Sequence, residues 1–197
     1  MLTKTQIEIM KIFVSKVIDR FSIKQISELL KKPYPLIHRS TKLLINQGFL
    51  LKDEKNFISL NYKDNFQTLS YTESLRADAF LRDKTLKLFT KDVFEKIKED
   101  FFVFLIFGSS VESKNSRDID VLLIVQGKED INEIEKAVSN IASNFSKKFD
   151  INVISTESAY EMFVKREQVN VMNETLNKHI LLFGAENYYR ILKNARQ

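Results

Sequence analysis

Cysteine and tryptophan are absent from the 197 residues, and histidine, glycine and proline are scarce, at two, four and two residues. Without cysteine the chain cannot form disulfide bonds, thiolate zinc sites, iron–sulfur clusters or a thiol nucleophile. Two histidines, His38 and His179, leave little room for a histidine-based metal site or a hydrolytic triad. No apolar run approaches the roughly 20 residues that span a bilayer, and the first residues lack a signal-peptide pattern. We therefore expect a cytoplasmic protein with no membrane partner.

The charge of the chain is unevenly distributed. Residues 1–66 contain twelve Lys and Arg against six Asp and Glu, whereas residues 67–197 contain nineteen against twenty. A basic first third beside a near-neutral remainder indicates an anionic partner for the first part alone. The alternative is a solvated basic face without a partner. We place a boundary between two domains after residue 66.

Local signals predict three short helices and a hairpin in the basic part. Two capping-box spacings, with Gln three residues after Thr or Ser, predict helix starts at Thr3 and Ser22. Pro35 suits the first turn of a third helix, and Gly48 suits the left-handed residue that ends it. The segment 49–60 then has the pattern of a small two-stranded hairpin.

This order of elements resembles a winged helix-turn-helix domain. The resemblance covers about residues 3–62 and depends also on the stretch 42–50, KLLINQGFL, which is similar to a recognition helix entering its wing. It implies binding to double-stranded DNA; docking to proteins or homodimerisation are the alternatives. The third helix would turn one side to the core, namely Leu36, Ile37, Ser40, Leu43 and Leu44. The residues expected to contact DNA are Tyr34, His38, Arg39 and Lys42 on that helix and Lys52 and Lys55 in the wing.

The second part of the chain contains the most informative pattern. A helical pattern over 70–98 predicts one long connecting helix. An apolar strand over 101–107 is followed by a Gly-Ser turn and a polar loop, and a second apolar strand opens with Asp118 and Asp120. Residues two apart on a strand point to the same side, so these carboxylates lie together. Such oxygen ligands favour Mg²⁺ or Mn²⁺, and a glycine turn permits close approach of phosphate. Both features fit metal-assisted phosphoryl or nucleotidyl transfer.

The same motifs are similar to the signature of the DNA-polymerase-beta-like nucleotidyltransferases. They resemble in particular the minimal nucleotidyltransferases of prokaryotes, some of which act as antitoxins that attach AMP to a partner protein. The resemblance covers about residues 72–190 and implies an α+β fold in which helices flank a small mixed sheet. It also implies a third carboxylate on a later strand, which Asp150 matches. Glu112 departs from the family pattern, because relatives often have small or basic residues there.

The resemblance further implies the roles of the site residues. ATP or another nucleoside triphosphate would be the substrate, Mg²⁺ or Mn²⁺ the cofactor, and a partner protein such as a cognate toxin the acceptor. The implied catalytic and metal-binding residues are Asp118, Asp120 and Asp150. The implied nucleotide contacts are Gly108, Ser109, Ser110 and Lys114.

Three functions stay open at this point. The first is a nucleotidyltransferase with a DNA-binding domain for recruitment or autoregulation. The second is a DNA-binding regulator whose nucleotidyltransferase fold binds nucleotide without turnover. The third is a protein-interaction module, such as an antitoxin that neutralises a partner by docking. The presence of all three carboxylates favours the first.

Overall fold

The computed structural model describes residues 2–97, 102–113, 116–127 and 131–196 and has the expected α+β composition. The first elements are three helices and a hairpin: α1 Lys4–Ser15, α2 Ile23–Leu30, α3 Tyr34–Asn46, β1 Leu50–Lys52 and β2 Ile58–Leu60. Both predicted capping boxes are present, at Thr3 and Ser22. In each, the hydroxyl accepts the backbone N–H of the Gln three residues later, and the side-chain oxygen of that Gln accepts the backbone N–H of the Thr or Ser. Gly48 follows α3 with a φ of 74°, as expected for a left-handed stop.

Helix α3 buries a narrower face than its apolar residues suggested. Leu36 and Leu43, predicted to face the core, are 43% and 45% exposed. The other three residues of that prediction are buried, together with Thr41. Because successive residues turn by about 100° around a helix, the buried residues form an arc on one side of α3. The two leucines, seven residues apart, lie just outside this arc. The core assignment of Leu36 and Leu43 is wrong.

The long helix predicted over 70–98 is also wrong, because the structure has two helices there. These are α4 Phe66–Phe80 and α5 Lys84–Lys96. Asp83 has an extended backbone, with φ −67° and ψ 119°, and its carboxylate accepts the N–H groups of the second and third residues of α5. This is N-capping geometry, which starts a new helix and so interrupts the old one.

A four-stranded sheet lies at the centre of the second part of the chain. Its strands are β3 Phe102–Phe107, β4 Asp118–Val125, β5 Lys148–Ser155 and β6 His179–Phe183, in the order β5-β4-β3-β6. Strands β4 and β5 are parallel, and the other pairs are antiparallel. The remaining helices are α6 Ser109–Glu112, α7 Ile131–Ala142, α8 Thr156–Val164, α9 Val171–Thr175 and α10 Ala185–Ala195. Helix α7 supplies the crossover that a parallel pair requires.

The two faces of the sheet pack against different apolar clusters. Ile119 and Val121 of β4 belong to the cluster that contains α5 and α7. Leu122 and Ile124 belong to the other cluster, which continues without a break into α1–α4 and α8–α10. Asp118 and Asp120 share the side of Leu122, because strand side chains alternate. Among the described residues, no helix combines the length and the apolarity needed to cross a membrane.

Candidate carboxylate site at the head of the sheet

The three predicted aspartates meet near the N-terminal ends of β4 and β5. Asp120 is the register partner of Asp150 across the parallel pair, and paired strands lie about 4.8 Å apart. Asp118 precedes Asp120 by two residues and so points to the same face of the sheet. Asp118 and Asp120 are half-buried, whereas Asp150 is exposed on the edge strand.

The electrostatics of the site centre on Asp120. Partial burial, followed by the negative charges of Asp150, Glu174 and Asp118, raises the pKa of the Asp120 carboxyl. Asp118 is balanced by Lys148, whose Nζ lies 3.2 Å from its Oδ2. Four carboxylates therefore act on one region, and a bound cation would relieve their repulsion. No three His, Cys, Asp or Glu side chains in the described ranges are already arranged as a metal cluster.

Gly108 closes the site from the end of β3. Its φ of 73° and ψ of −150° belong to a region that is essentially limited to glycine. A Cβ at this position would lie 2.5 Å from Oδ2 of Asp120. Because Gly108 has no side chain, the Asp120 carboxylate can lie close to the backbone of the turn. The N–H of Gly108 donates to the carbonyl of Lys178 at 3.0 Å, which ties the turn to the loop before β6.

The hydroxyls that follow the glycine lie on α6. Ser109 is exposed, and its Oγ lies 3.2 Å from Oγ of Ser116. Ser110 is half-buried and donates to the carbonyl of Phe107 at 3.2 Å. Ser109 is thus the predicted hydroxyl that solvent reaches more easily. Lys114, the remaining predicted nucleotide contact, falls outside the described residues.

Compared with protein-family models, curated proteins and solved structures, the chain has no match.

Two charged residues of the site, Lys148 and Glu174, were not among the predicted site residues. Lys148 stands two residues before Asp150 on β5 and so shares its side of the strand. That spacing was a signal that could have identified it. Glu174 had no such signal, because it reaches the electrostatic surroundings of Asp120 through the packing of α9, which no local pattern encodes.

A buried ionic network joins α4, β6 and α10. Glu73 accepts hydrogen bonds from Tyr189 at 2.8 Å, from Arg76 at 2.6 Å and from Nε2 of His179 at 3.1 Å. Burial alone would raise the pKa of Glu73, but the charges of Arg76 and His179 hold it below its ordinary value. Nδ1 of His179 contacts the carbonyl of Thr175 at the end of α9. His179 therefore connects the strand beside the Gly108 turn to the helix that carries Glu174.

The residues predicted to contact DNA are all exposed. Tyr34, His38, Arg39 and Lys42 lie on the solvent side of α3, and the rings of Tyr34 and His38 stack with centroids 6.0 Å apart. Lys52 ends β1, and Lys55 lies in the turn of the hairpin. The structure thus leaves these six side chains accessible to a partner.

Proposed function

We propose that the protein is a metal-dependent nucleotidyltransferase that moves a nucleoside monophosphate, in the first instance AMP from ATP, to an acceptor. A partner protein such as a cognate toxin is the candidate acceptor. The observation that carries the proposal is the convergence of Asp118, Asp120 and Asp150 beside Gly108, with Asp120 and Asp150 in direct register. A structural role would not require three like charges on one side of a strand pair.

The donor set fits a hard divalent cation. Its ligands would be carboxylate oxygens, which Mg²⁺ and Mn²⁺ prefer. Partial burial, followed by neighbouring negative charge that such an ion would offset, raises the pKa of Asp120. Asp118 and Asp120 would hold the ion, with Asp150 beside them. When bound, the ion would neutralise negative charge on the phosphate oxygens and on the leaving group.

The other groups of the site position the two substrates. Asp150 is exposed on the edge strand, where an acceptor can approach and pass its proton to the carboxylate, or where a second ion can bind. The Oγ of Ser109 would donate to a phosphate oxygen beside the glycine turn. Fixing the reacting groups in line contributes to the rate without further chemistry from the protein.

The N-terminal elements complete the proposal as a winged helix-turn-helix domain that binds double-stranded DNA. Support comes from the order of three helices and a hairpin and from the accessible basic side chains of α3, β1 and the turn. Its role would be recruitment to DNA or control of the protein's own operon.

The test is transfer of label from α-labelled ATP with Mg²⁺ or Mn²⁺. Acceptors would be the products of neighbouring genes, followed by total protein and RNA of the organism that carries the gene. Replacing any one of the three aspartates by Asn should reduce labelling by about 100-fold or more, and the losses should not add, because the carboxylates act as a unit. Asp78→Asn, an exposed change on α4, should label like the wild type.

Thermal unfolding separates lost chemistry from lost structure. Because the pKa of Asp120 is raised in the fold, its ionised form is destabilising above that pKa, and Asp120→Asn should unfold at the wild-type temperature or higher. Metal-independent labelling, or Asn variants that label normally, would contradict the proposal. Metal-dependent ATP binding without transfer to any of these acceptors would support a nucleotide-sensing regulator instead.

A further inference from the structure

Two lysines from distant parts of the chain converge on Glu112 at the end of α6. The Nζ of Lys16 lies 3.4 Å from its Oε1, and the Nζ of Lys178 lies 3.5 Å from its Oε2. The hydrogen bond from Lys16 and the positive charge of Lys178 hold the pKa of the Glu112 carboxyl below its ordinary value. One carboxylate between two ammonium groups leaves a net positive charge at this point.

Backbone contacts, rather than the ion pairs alone, place the two lysines beside the glycine turn. The carbonyl of Lys178 accepts the N–H of Gly108. The N–H of Val17, next to Lys16, donates to the carbonyl of Leu176 at 2.9 Å. The side chain of Asn177 accepts a hydrogen bond from the N–H of Ile18 and donates one to the carboxylate of Asp19. Exposed ion pairs contribute little to stability, so the pairs of these lysines with Glu112 add little to the stability of the fold.

The lysine pair and the aspartates lie at opposite ends of one short element. Helix α6 has four residues, or about 6 Å of helix, which matches the length scale of a triphosphate chain. Gly108, at its start, touches Asp120, and Glu112, at its end, meets the lysines. Carboxylates suit the metal-bound end of a nucleotide, and ammonium groups suit its terminal phosphates.

We infer that Lys16 and Lys178 bind the terminal phosphates of the nucleotide on which the aspartates act. Glu112 holds the two ammonium groups until a phosphate displaces it. The inference rests on the proposed nucleotidyltransferase function. It makes the N-terminal segment part of the nucleotide site, because Lys16 follows directly after α1.

The experiment is equilibrium binding of ATP and of AMP to the full chain in the presence of Mg²⁺, by calorimetry. Lys16→Ala and Lys178→Ala should each weaken ATP binding by roughly tenfold, the usual scale for a charge-assisted contact. AMP binding should not change, because AMP lacks the terminal phosphates. Glu112→Gln should tighten ATP binding, since it removes the competing carboxylate. Lys87→Ala, an exposed change on α5, is the matched control.

The outcomes separate this inference from the proposed function. Lysine variants that bind ATP as well as Lys87→Ala does, or that lose ATP and AMP binding equally, overturn the inference and leave the function standing. Lysine-dependent ATP binding with unchanged AMP binding, but without any label transfer, keeps the phosphate contacts of the two lysines and overturns the transfer reaction. A wild-type protein that binds neither nucleotide overturns both.

Discussion

At Gly108 the conformation of the backbone and the chemistry of the site depend on the same missing side chain. The residue has a positive φ, and Oδ2 of Asp120 occupies the space in which a Cβ would stand. Gly48 provides a natural comparison, because it has nearly the same φ of 74°, but a Cβ added there would lie 3.9 Å from its nearest neighbour, Nδ2 of Asn65. A side chain added at Gly48 would therefore cause backbone strain alone. A side chain added at Gly108 would cause backbone strain and a steric clash with Asp120.

We expect Gly48→Ala to lower the free energy of unfolding by about 1 kcal/mol, the cost of a left-handed residue with a side chain. Gly108→Ala should cost about 2–3 kcal/mol and should also displace the Asp120 carboxylate, so that labelling from ATP falls. Urea unfolding measures the first effect, and the transfer assay measures the second. Equal costs for the two alanine variants, with labelling intact, would contradict this account of Gly108.

Site residues were predictable from sequence where a motif brought them together. Asp118 and Asp120 share a strand side by their spacing alone, and Asp150 was assigned through the family resemblance. In the structure Asp120 is the register partner of Asp150, and the charges of Asp118 and Asp150 both act on Asp120. Glu174 was not predictable, because its approach to Asp120 depends on how the short helix α9 packs. Local spacing identifies neighbours on one strand but not neighbours across a fold.

Among the elements, two helices with a capping-box signal were predicted at the right places. Thr3 and Ser22 start α1 and α2 as expected. Asp83 carried the same kind of signal, but it lay inside a continuous apolar periodicity, which concealed the break between α4 and α5. Periodicity measures which side of a segment is apolar and is insensitive to a short interruption.

Glu73 of α4 hydrogen-bonds His179 of β6 and Tyr189 of α10. We expect Glu73→Gln to lower the free energy of unfolding by about 3 kcal/mol at neutral pH, because it leaves the buried charge of Arg76 without its partner. The exposed Lys91–Glu95 pair on α5 gives the control, since Glu95→Gln should change stability by less than about 0.5 kcal/mol.

The same variant carries a pH dependence with a definite sign. The pKa of Glu73 is lowered in the fold from 4.5, so its contribution to stability is complete above that value and is lost as the pH falls through the folded pKa. Gln does not titrate. The difference between wild type and Glu73→Gln should therefore shrink in acid, as measured by urea unfolding at a series of pH values. A difference that is constant from neutral pH into acid would contradict the ionic role.

At the scale of the whole molecule, one apolar cluster includes residues of the first three helices and of α8–α10. The domain boundary predicted after residue 66 stays a prediction, and this cluster runs across it. The sequence could not supply this packing, because the contacts join segments more than 150 residues apart, such as Val17 with Leu176. Charge asymmetry and element order describe each part of the chain but not how the parts meet.

DNA binding by the first part should depend steeply on salt, because each phosphate contact releases counterions. Arg39→Ala combined with Lys42→Ala should weaken binding of a duplex of about 30 base pairs from the protein's own promoter. If both side chains contact phosphates, the slope of log affinity against log salt should fall by about 2. A gel-shift titration at several salt concentrations measures both quantities, with Lys87→Ala as the control. Equal retention by the wild type and the double variant would contradict the assignment of α3.

The cluster shared by both ends of the described chain has a consequence during synthesis on the ribosome. Ile9 in α1 and Tyr189 in α10 belong to the same core, and a ribosome adds roughly 5–20 residues per second. The residues of α10 are therefore synthesised roughly 10–40 s after α1, and until then the apolar side of α1 lacks these neighbours. During that interval the nascent chain exposes apolar surface of the kind that chaperones bind, and this cluster can be completed only after α10 has been synthesised.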